Sequence, residues 1–319
     1  MAVRRSEREP SASSKSSKSS NAEPGTILAP PLPPGRFVQL DDRGTVLVRD
    51  FGGKPGAPTV VLLHGWTATA DLNWFRCYKA LGEHYRVIAF DHRGHGTGIR
   101  SKKTFRLEDC ADDVVDVAAA LGIDRFIAAG YSMGGPIAQL LWRRHPDNVT
   151  GLVLCATAAT FSGRREERLG RMGITGLAAV ARITPEQAKV WLTDQFFLQR
   201  KSKKWEPWAI REASRHDWRM VLEAGKAISR FSSTKWIGSI DVPVANVITM
   251  RDNVVSVARQ AALYDLIPGA AAFRIDGAHD ACVANADRFV PVLLRAIESV
   301  RVRAVRRADE RRGGEHTDQ

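Results

Sequence analysis

Gly130-Tyr131-Ser132-Met133-Gly134-Gly135 is the stretch on which the reading of the whole chain turns. The apolar run Arg125 to Ala129 before it has the length and composition of a short buried strand, and Pro136 to His145 after it reads as a helix. Ser132 therefore stands where strand must turn sharply into helix. Gly130 and Gly134 let neighbouring backbone pass close to a strained central residue, which lifts the Ser132 hydroxyl clear of the sheet edge. The Met133 amide points toward a helix N-terminus, where unpaired backbone N–H groups favour developing negative charge. The G-x-S-x-G pattern alone also fits a glycine-rich turn with an inert serine. The strand before it and the helix after it are what point to a nucleophile.

Upstream, Phe37 to Leu40 and Thr45 to Phe51 alternate as two antiparallel strands do, joined by the turn residues Asp41-Asp42-Arg43-Gly44. Thr59 to Leu63 is a continuous apolar run too short for a helix and suited to a central parallel strand. It ends in His64-Gly65-Trp66. Gly65 permits a tight turn that would aim the Trp66 amide at a ligand above the sheet, as a second oxyanion donor beside Met133; closing a strand is the plainer role for the same residues. A helix is expected near Trp74 to Leu81, then a strand from Arg86 to Phe90 running into Asp91-His92-Arg93-Gly94-His95-Gly96. Two histidines and an aspartate there look like a metal site at first, but no further ligand at fixed geometry is nearby, so Asp91 and Arg93 are read as holding the loop in shape, with no metal bound. Leu107 to Leu121 is an amphipathic helix with Asp109, Asp112, Asp113 and Asp116 outward, ended by Gly122.

Downstream, His145-Pro146 stops a helix and Val149 to Cys155 forms another strand. Such alternation predicts a parallel sheet with helices on both faces and its site at the strand C-terminal ends. From Phe161 to Ser239 no strand is evident, and five of the eight tryptophans, Trp191, Trp205, Trp208, Trp218 and Trp236, fall there. The segment reads as a helical cap over Ser132, its aromatics lining an apolar pocket or packing the cap itself. The sheet resumes with Val242 to Met250, followed by Asp252, and ends with Ala271 to Ile275, followed by Asp276-Gly277-Ala278-His279. A terminal helix from Asp287 to Arg303 follows.

The expected division is a disordered Ser/Lys/Pro-rich tail over 1–35, core over 36–160, cap over 161–239, core again over 240–303, and a disordered basic tail over 304–319. A chain of 319 residues, 44% of them hydrophobic, suits one α/β domain with an insertion. No apolar run approaches the ~20 residues of a membrane-spanning helix, and the N-terminus has no apolar signal core. Cys77, Cys110, Cys155 and Cys282 are scattered without a C-x-x-C pair and read as reduced core thiols, so a cytoplasmic protein is expected. The formal charge of +12 is concentrated: from Gly163 to Ile237 sixteen Lys plus Arg stand against eight Asp plus Glu. A basic surface that binds no nucleic acid is the plain expectation, and weak association of the basic cap with an anionic membrane surface the sharper one.

Three chemical groups thus follow three different strands in the order Ser132, Asp252, His279, the order expected of a serine activated by a histidine that a carboxylate orients. With His64-Gly65-Trp66 and Asp91 to Gly96, these motifs resemble the α/β-hydrolase family over residues 36 to 303; Ala278 stands where that family often has glycine. The resemblance implies a mostly parallel eight-stranded sheet with helices on both faces and a helical cap insertion. It implies Ser132 as nucleophile, Asp252 as acid, His279 as base, and the Trp66 and Met133 amides as oxyanion hole. Asp276 and Asp280 are rivals to Asp252 by proximity alone. No cofactor and no metal are needed. A serine at 132 argues against the dehalogenase and epoxide-hydrolase members, which use aspartate there. The expected function is hydrolysis of an apolar carboxylic ester. A perhydrolase or haloperoxidase, a C–C bond hydrolase, an acyltransferase and a non-catalytic ligand-binding protein are the alternatives on the same fold.

Overall fold

In the computed structural model, residues 28–41, 43–161 and 206–315 are described, the last segment with side chains over 207–310. Eight strands form one sheet: β1 Gly35–Leu40, β2 Gly44–Phe51, β3 Thr59–Leu63, β4 Arg86–Phe90, β5 Phe126–Tyr131, β6 Val149–Cys155, β7 Val244–Thr249 and β8 Ala271–Ile275. Their order is β1-β2-β4-β3-β5-β6-β7-β8. The pairs β1–β2 and β2–β4 are antiparallel and all others parallel.

Strand residues alternate between two apolar layers, as the period of two requires. Val61, Leu63, Ile88, Phe90 and Ala128 face one layer with α3 (Leu107–Ala120) and α4 (Gly134–Arg144). Val60, Leu62, Val87, Ala89 and Ala129 face the other, filled by Trp74 from α1 (Ala70–Trp74), Tyr78 and Leu81 from α2 (Tyr78–Gly82), and Phe289, Leu293 and Ile297. The last three belong to the long terminal helix. The central strands are buried on both faces, which is why they read as unbroken apolar runs.

Several expectations change in detail. The helix foreseen at Trp74 to Leu81 is two short ones, broken at Phe75–Cys77, so that Trp74 and Tyr78 both reach the core. Asp113 faces inward at 2% exposure. It lies three residues from Cys110 and four from Val117, on the buried stripe, and there pairs with Arg93 through two bonds of 2.7 and 2.6 Å. Residues 30–33, expected within the first tail, are packed on the domain: Pro30 is buried, Leu32 packs beside Trp208, and the Pro33 carbonyl accepts from Arg49 at 2.6 Å. The terminal helix runs to Glu315 rather than Arg303. Its Ala, Arg and Glu residues are good helix formers, and Arg303 and Arg307 anchor it on the carbonyls of Val244, Gly269 and Asp241. Residues 1–27 and 316–319, and residues 162–205 of the expected cap with Trp191, Trp205 and much of the basic segment, lie outside the described residues.

Among the described residues of that segment are two α-helices, α5 (Glu206–Ser214) and α6 (Trp218–Arg230). After them come α7 (Val257–Asp265), α8 (Ala281–Ala284) and the terminal α9 (Ala286–Glu315). The turn between α5 and α6 meets the loop after β4, where the Asp217 amide donates to the Gly94 carbonyl at 2.8 Å. No helix among the described residues is long and apolar enough to cross a membrane. The four cysteines are free and buried.

Candidate active site

Ser132 has φ +50°, in the left-handed region that L residues seldom enter. Strain of this kind costs on the order of 1–3 kcal/mol and persists where the surroundings over-determine it. Here they do. A Cβ on Gly130 would lie 2.2 Å from the Gly134 carbonyl oxygen, and one on Gly134 would lie 2.2 Å from that of Leu63. One on Gly135 would lie 2.2 Å from Thr157 Oγ1, the hydroxyl that donates to the Ser132 carbonyl at 2.8 Å. The Ser132 amide donates to the Cys155 carbonyl at 2.9 Å. Strand β5 therefore turns into α4 with its backbone wedged between β3 and β6.

The structure brings together the three side chains that the sequence scattered over 147 positions. His279 Nε2 lies 3.0 Å from Ser132 Oγ, and His279 Nδ1 lies 2.8 Å from Asp252 Oδ2. With Nδ1–H donating to the carboxylate, Nε2 is left to accept the serine proton. The Asp252 side chain is wholly buried and that of His279 is 15% exposed. Thr249 Oγ1 (2.7 Å) and Gln260 Nε2 (3.2 Å) also donate to Asp252 Oδ2, while the amides of Val254 and Val255 hold Oδ1 at 2.8 Å each. Burial alone would raise the Asp252 pKa. The hydrogen bond and charge of His279, with Thr249 and the Val255 amide, outweigh it and hold the pKa below the ordinary value, so the group stays a carboxylate. Asp276 is instead an exposed partner of Arg251 and Arg288, and Asp280 precedes α8.

Met133 stands at the N-cap of α4, so its amide belongs to the first-turn N–H groups that lack a helical acceptor. The loop after β3 runs alongside: a Cβ on Gly65 would come 3.4 Å from Ser132 Cβ. That loop is held from several sides. The Gly65 amide donates to Asn73 Oδ1 at 2.9 Å, His64 Nδ1 meets the Gly65 carbonyl at 2.8 Å, and His64 Nε2 accepts from the His92 amide at 2.9 Å. Burial drives the His64 pKa down to about 3, which keeps this tautomer neutral.

Asp91 accepts from the amides of Ala70 and Thr97, each at 2.7 Å, and Arg93 is tied to Asp113 and Asp109, so this turn is braced as its sequence suggested. Four imidazoles, those of His64, His92, His95 and His216, pack together nearby. Among the described residues no cluster of three or more His, Cys, Asp or Glu is placed to hold a metal. Sequence reasoning missed Tyr131, Asn73, His216, Thr249 and Gln260. Only Thr249, three residues before Asp252, carries a local signal; the others find their partners through the fold.

A family model described as "alpha/beta hydrolase fold" matches residues 58–283. The chain is 26% identical over 228 residues to AB hydrolase superfamily protein YisY of Bacillus subtilis, covering 69% of this chain and 82% of that one. It is 31% identical over 172 residues to epoxide hydrolase B of Mycobacterium tuberculosis, a match spanning 50% of this chain and 46% of the relative. The solved enol-lactonase from Burkholderia xenovorans superposes with a TM-score of 0.69 at 25% identity, covering 82% of this chain and all of the other.

Proposed function

The chain belongs to the alpha/beta hydrolase family, and on that footing we propose that it is a serine hydrolase cleaving an apolar carboxylic ester through an acyl-enzyme on Ser132. The observation that carries this reading is the hydrogen-bonded line Asp252–His279–Ser132, with His279 Nε2 facing the hydroxyl. In the proposed reaction His279 takes the Ser132 proton as Oγ attacks the carbonyl carbon. The oxyanion is held by the Met133 and Trp66 amides. His279 then protonates the leaving alkoxide and, in the second half, activates the water that releases the acid. Asp252 stays ionised and supports the imidazolium that forms twice per turnover.

On the serine at the elbow we assign acyl-enzyme chemistry rather than the epoxide hydrolysis for which one relative is named. The enol-lactonase it resembles is named for a lactone, a cyclic ester, which fits acyl transfer to serine and then to water. We further propose that residues 161–239, including α5 and α6, form the cap that shapes the substrate pocket, and that four buried thiols fit a reducing compartment. The test is hydrolysis of p-nitrophenyl esters of graded acyl length, beside Ser132→Ala. Turnover with a preferred chain length, lost in the variant, supports the assignment. Absence of hydrolysis of every ester in water alone, with acyl transfer from the same esters to an added alcohol or peroxide, would replace hydrolase by transferase or perhydrolase.

A further inference from the structure

The residue assigned as the second oxyanion donor has its side chain fastened to a different part of the molecule. Trp66 Nε1–H donates to the Val221 carbonyl of α6 at 2.6 Å. Directly beside that bond, a Cβ on Gly225 would lie 2.6 Å from Trp66 Cζ2 and 3.1 Å from two further ring atoms, so the indole sits in a notch that only glycine leaves open. Val221 and Gly225 are one helical turn apart and share a face of α6. The helix is itself pinned. The Asp217 amide bonds to Gly94, and the Gly96 amide donates to His216 Nδ1 at 2.8 Å. That bond leaves the proton on His216 Nε2, which donates to the Thr67 carbonyl at 3.3 Å, one residue beyond Trp66. Thr67 has φ +58°, a conformation a β-branched residue keeps only where its neighbours hold it.

Residues 216–225 thus grip the Trp66 ring and the next carbonyl in the chain. We propose that Gly225 and Val221 of α6 are positioning residues for the Trp66 amide: by seating the indole they fix the direction in which the N–H of the same residue points above Ser132. This rests on the serine-hydrolase reading above. A hydrogen-bond donor stabilises an oxyanion only when it is aimed at it in advance, and misplacement by about 1 Å can cost about 100-fold in rate.

The test compares full-length wild type, Gly225→Ala, Trp66→Phe and the double variant. Two rates are read: p-nitrophenyl ester hydrolysis, and phosphonylation of Ser132 by a fluorophosphonate. Alanine favours a helix over glycine, so Gly225→Ala is expected to fold, which circular dichroism and thermal melting check. Its kcat is expected to fall about 10- to 100-fold with KM changed less than about threefold, and phosphonylation should slow in parallel. Trp66→Phe loses the Nε1–H bond but leaves room for the added methyl; it should lose about 10-fold, and the double variant should be no worse than Trp66→Phe alone. A folded Gly225→Ala with wild-type kcat, or losses that multiply in the double variant, would overturn the inference. If Gly225→Ala does not fold, Trp66→Phe with unchanged kcat overturns it unaided. Active wild type with unaffected variants removes this inference only, whereas wild type that neither turns over esters nor is phosphonylated at Ser132 removes the serine-hydrolase reading as well.

Discussion

The Tyr131 hydroxyl donates to the backbone carbonyl of His279 at 2.7 Å, joining the residue before Ser132 directly to the loop that carries the imidazole. The two rings also meet edge to face at 5.9 Å. Burial pushes the Tyr131 phenol well above its ordinary pKa, so it remains a donor across the working range. Tyr131→Phe leaves the ring in place and the carbonyl without this donor. A loss of about 1 to 3 kcal/mol in urea unfolding is expected, with kcat reduced about 3- to 10-fold as the imidazole loses register with Ser132. An unchanged kcat would mean that the His279 loop is fixed by other contacts.

Acid should destabilise the fold through its buried histidines. Burial lowers the pKa of His64 to about 3 and of His216 to about 4, and holds His92 and His95 well below the ordinary value. In the unfolded chain the same groups titrate near ~6.5. Between these limits the unfolded state binds protons that the folded state does not, so stability falls as pH drops below about 6.5. Each histidine contributes up to ~1.4 kcal/mol per pH unit, down to its folded pKa. Denaturant unfolding at pH 7 and pH 5 should differ by several such increments, and equal stabilities would contradict the neutral assignment.

Removal of Asp113 should be costly for a reason unrelated to catalysis. The side chains of Arg93 and Asp113 are 8% and 3% exposed, so Asp113→Ala would leave a buried guanidinium with Asp109, at 3.3 Å, as its remaining carboxylate among the described residues. About 3–5 kcal/mol of destabilisation is expected from breaking such a pair. Calorimetry measures it, and the protein that remains folded should keep its turnover per molecule.

Gly134→Ala tests the wedge at the elbow. The added methyl would lie 2.2 Å from the Leu63 carbonyl oxygen, which belongs to β3 and cannot rotate away. Helix propensity favours alanine, so any loss measures that collision directly. Poor soluble yield, or a melting temperature several degrees lower, is expected; a variant as stable as wild type would show that α4 can shift.

Strand positions were legible because burial on both sheet faces forces unbroken apolar runs, and the order Ser132, Asp252, His279 was legible because each residue follows a strand. Boundaries were less so. Tyr131 extends β5 to the elbow itself, and residues 304–315 continue the terminal helix where composition alone marked a tail. The inward turn of Asp113 could have been found from its spacing to Cys110 and Val117. The partners of Asn73 and His216 could not. Asn73 meets Gly65 eight residues away, His216 meets Gly96 and Thr67 at separations of 120 and 149 residues, and nothing in local sequence records such a meeting.

The most direct test of the central claim is mass analysis of the protein quenched during p-nitrophenyl ester turnover. The acyl mass should appear on the peptide containing Ser132, arise within a burst, and be absent from Ser132→Ala. Ester turnover with no acyl group on that peptide, or persisting in Ser132→Ala, would contradict the assignment of Ser132 as nucleophile.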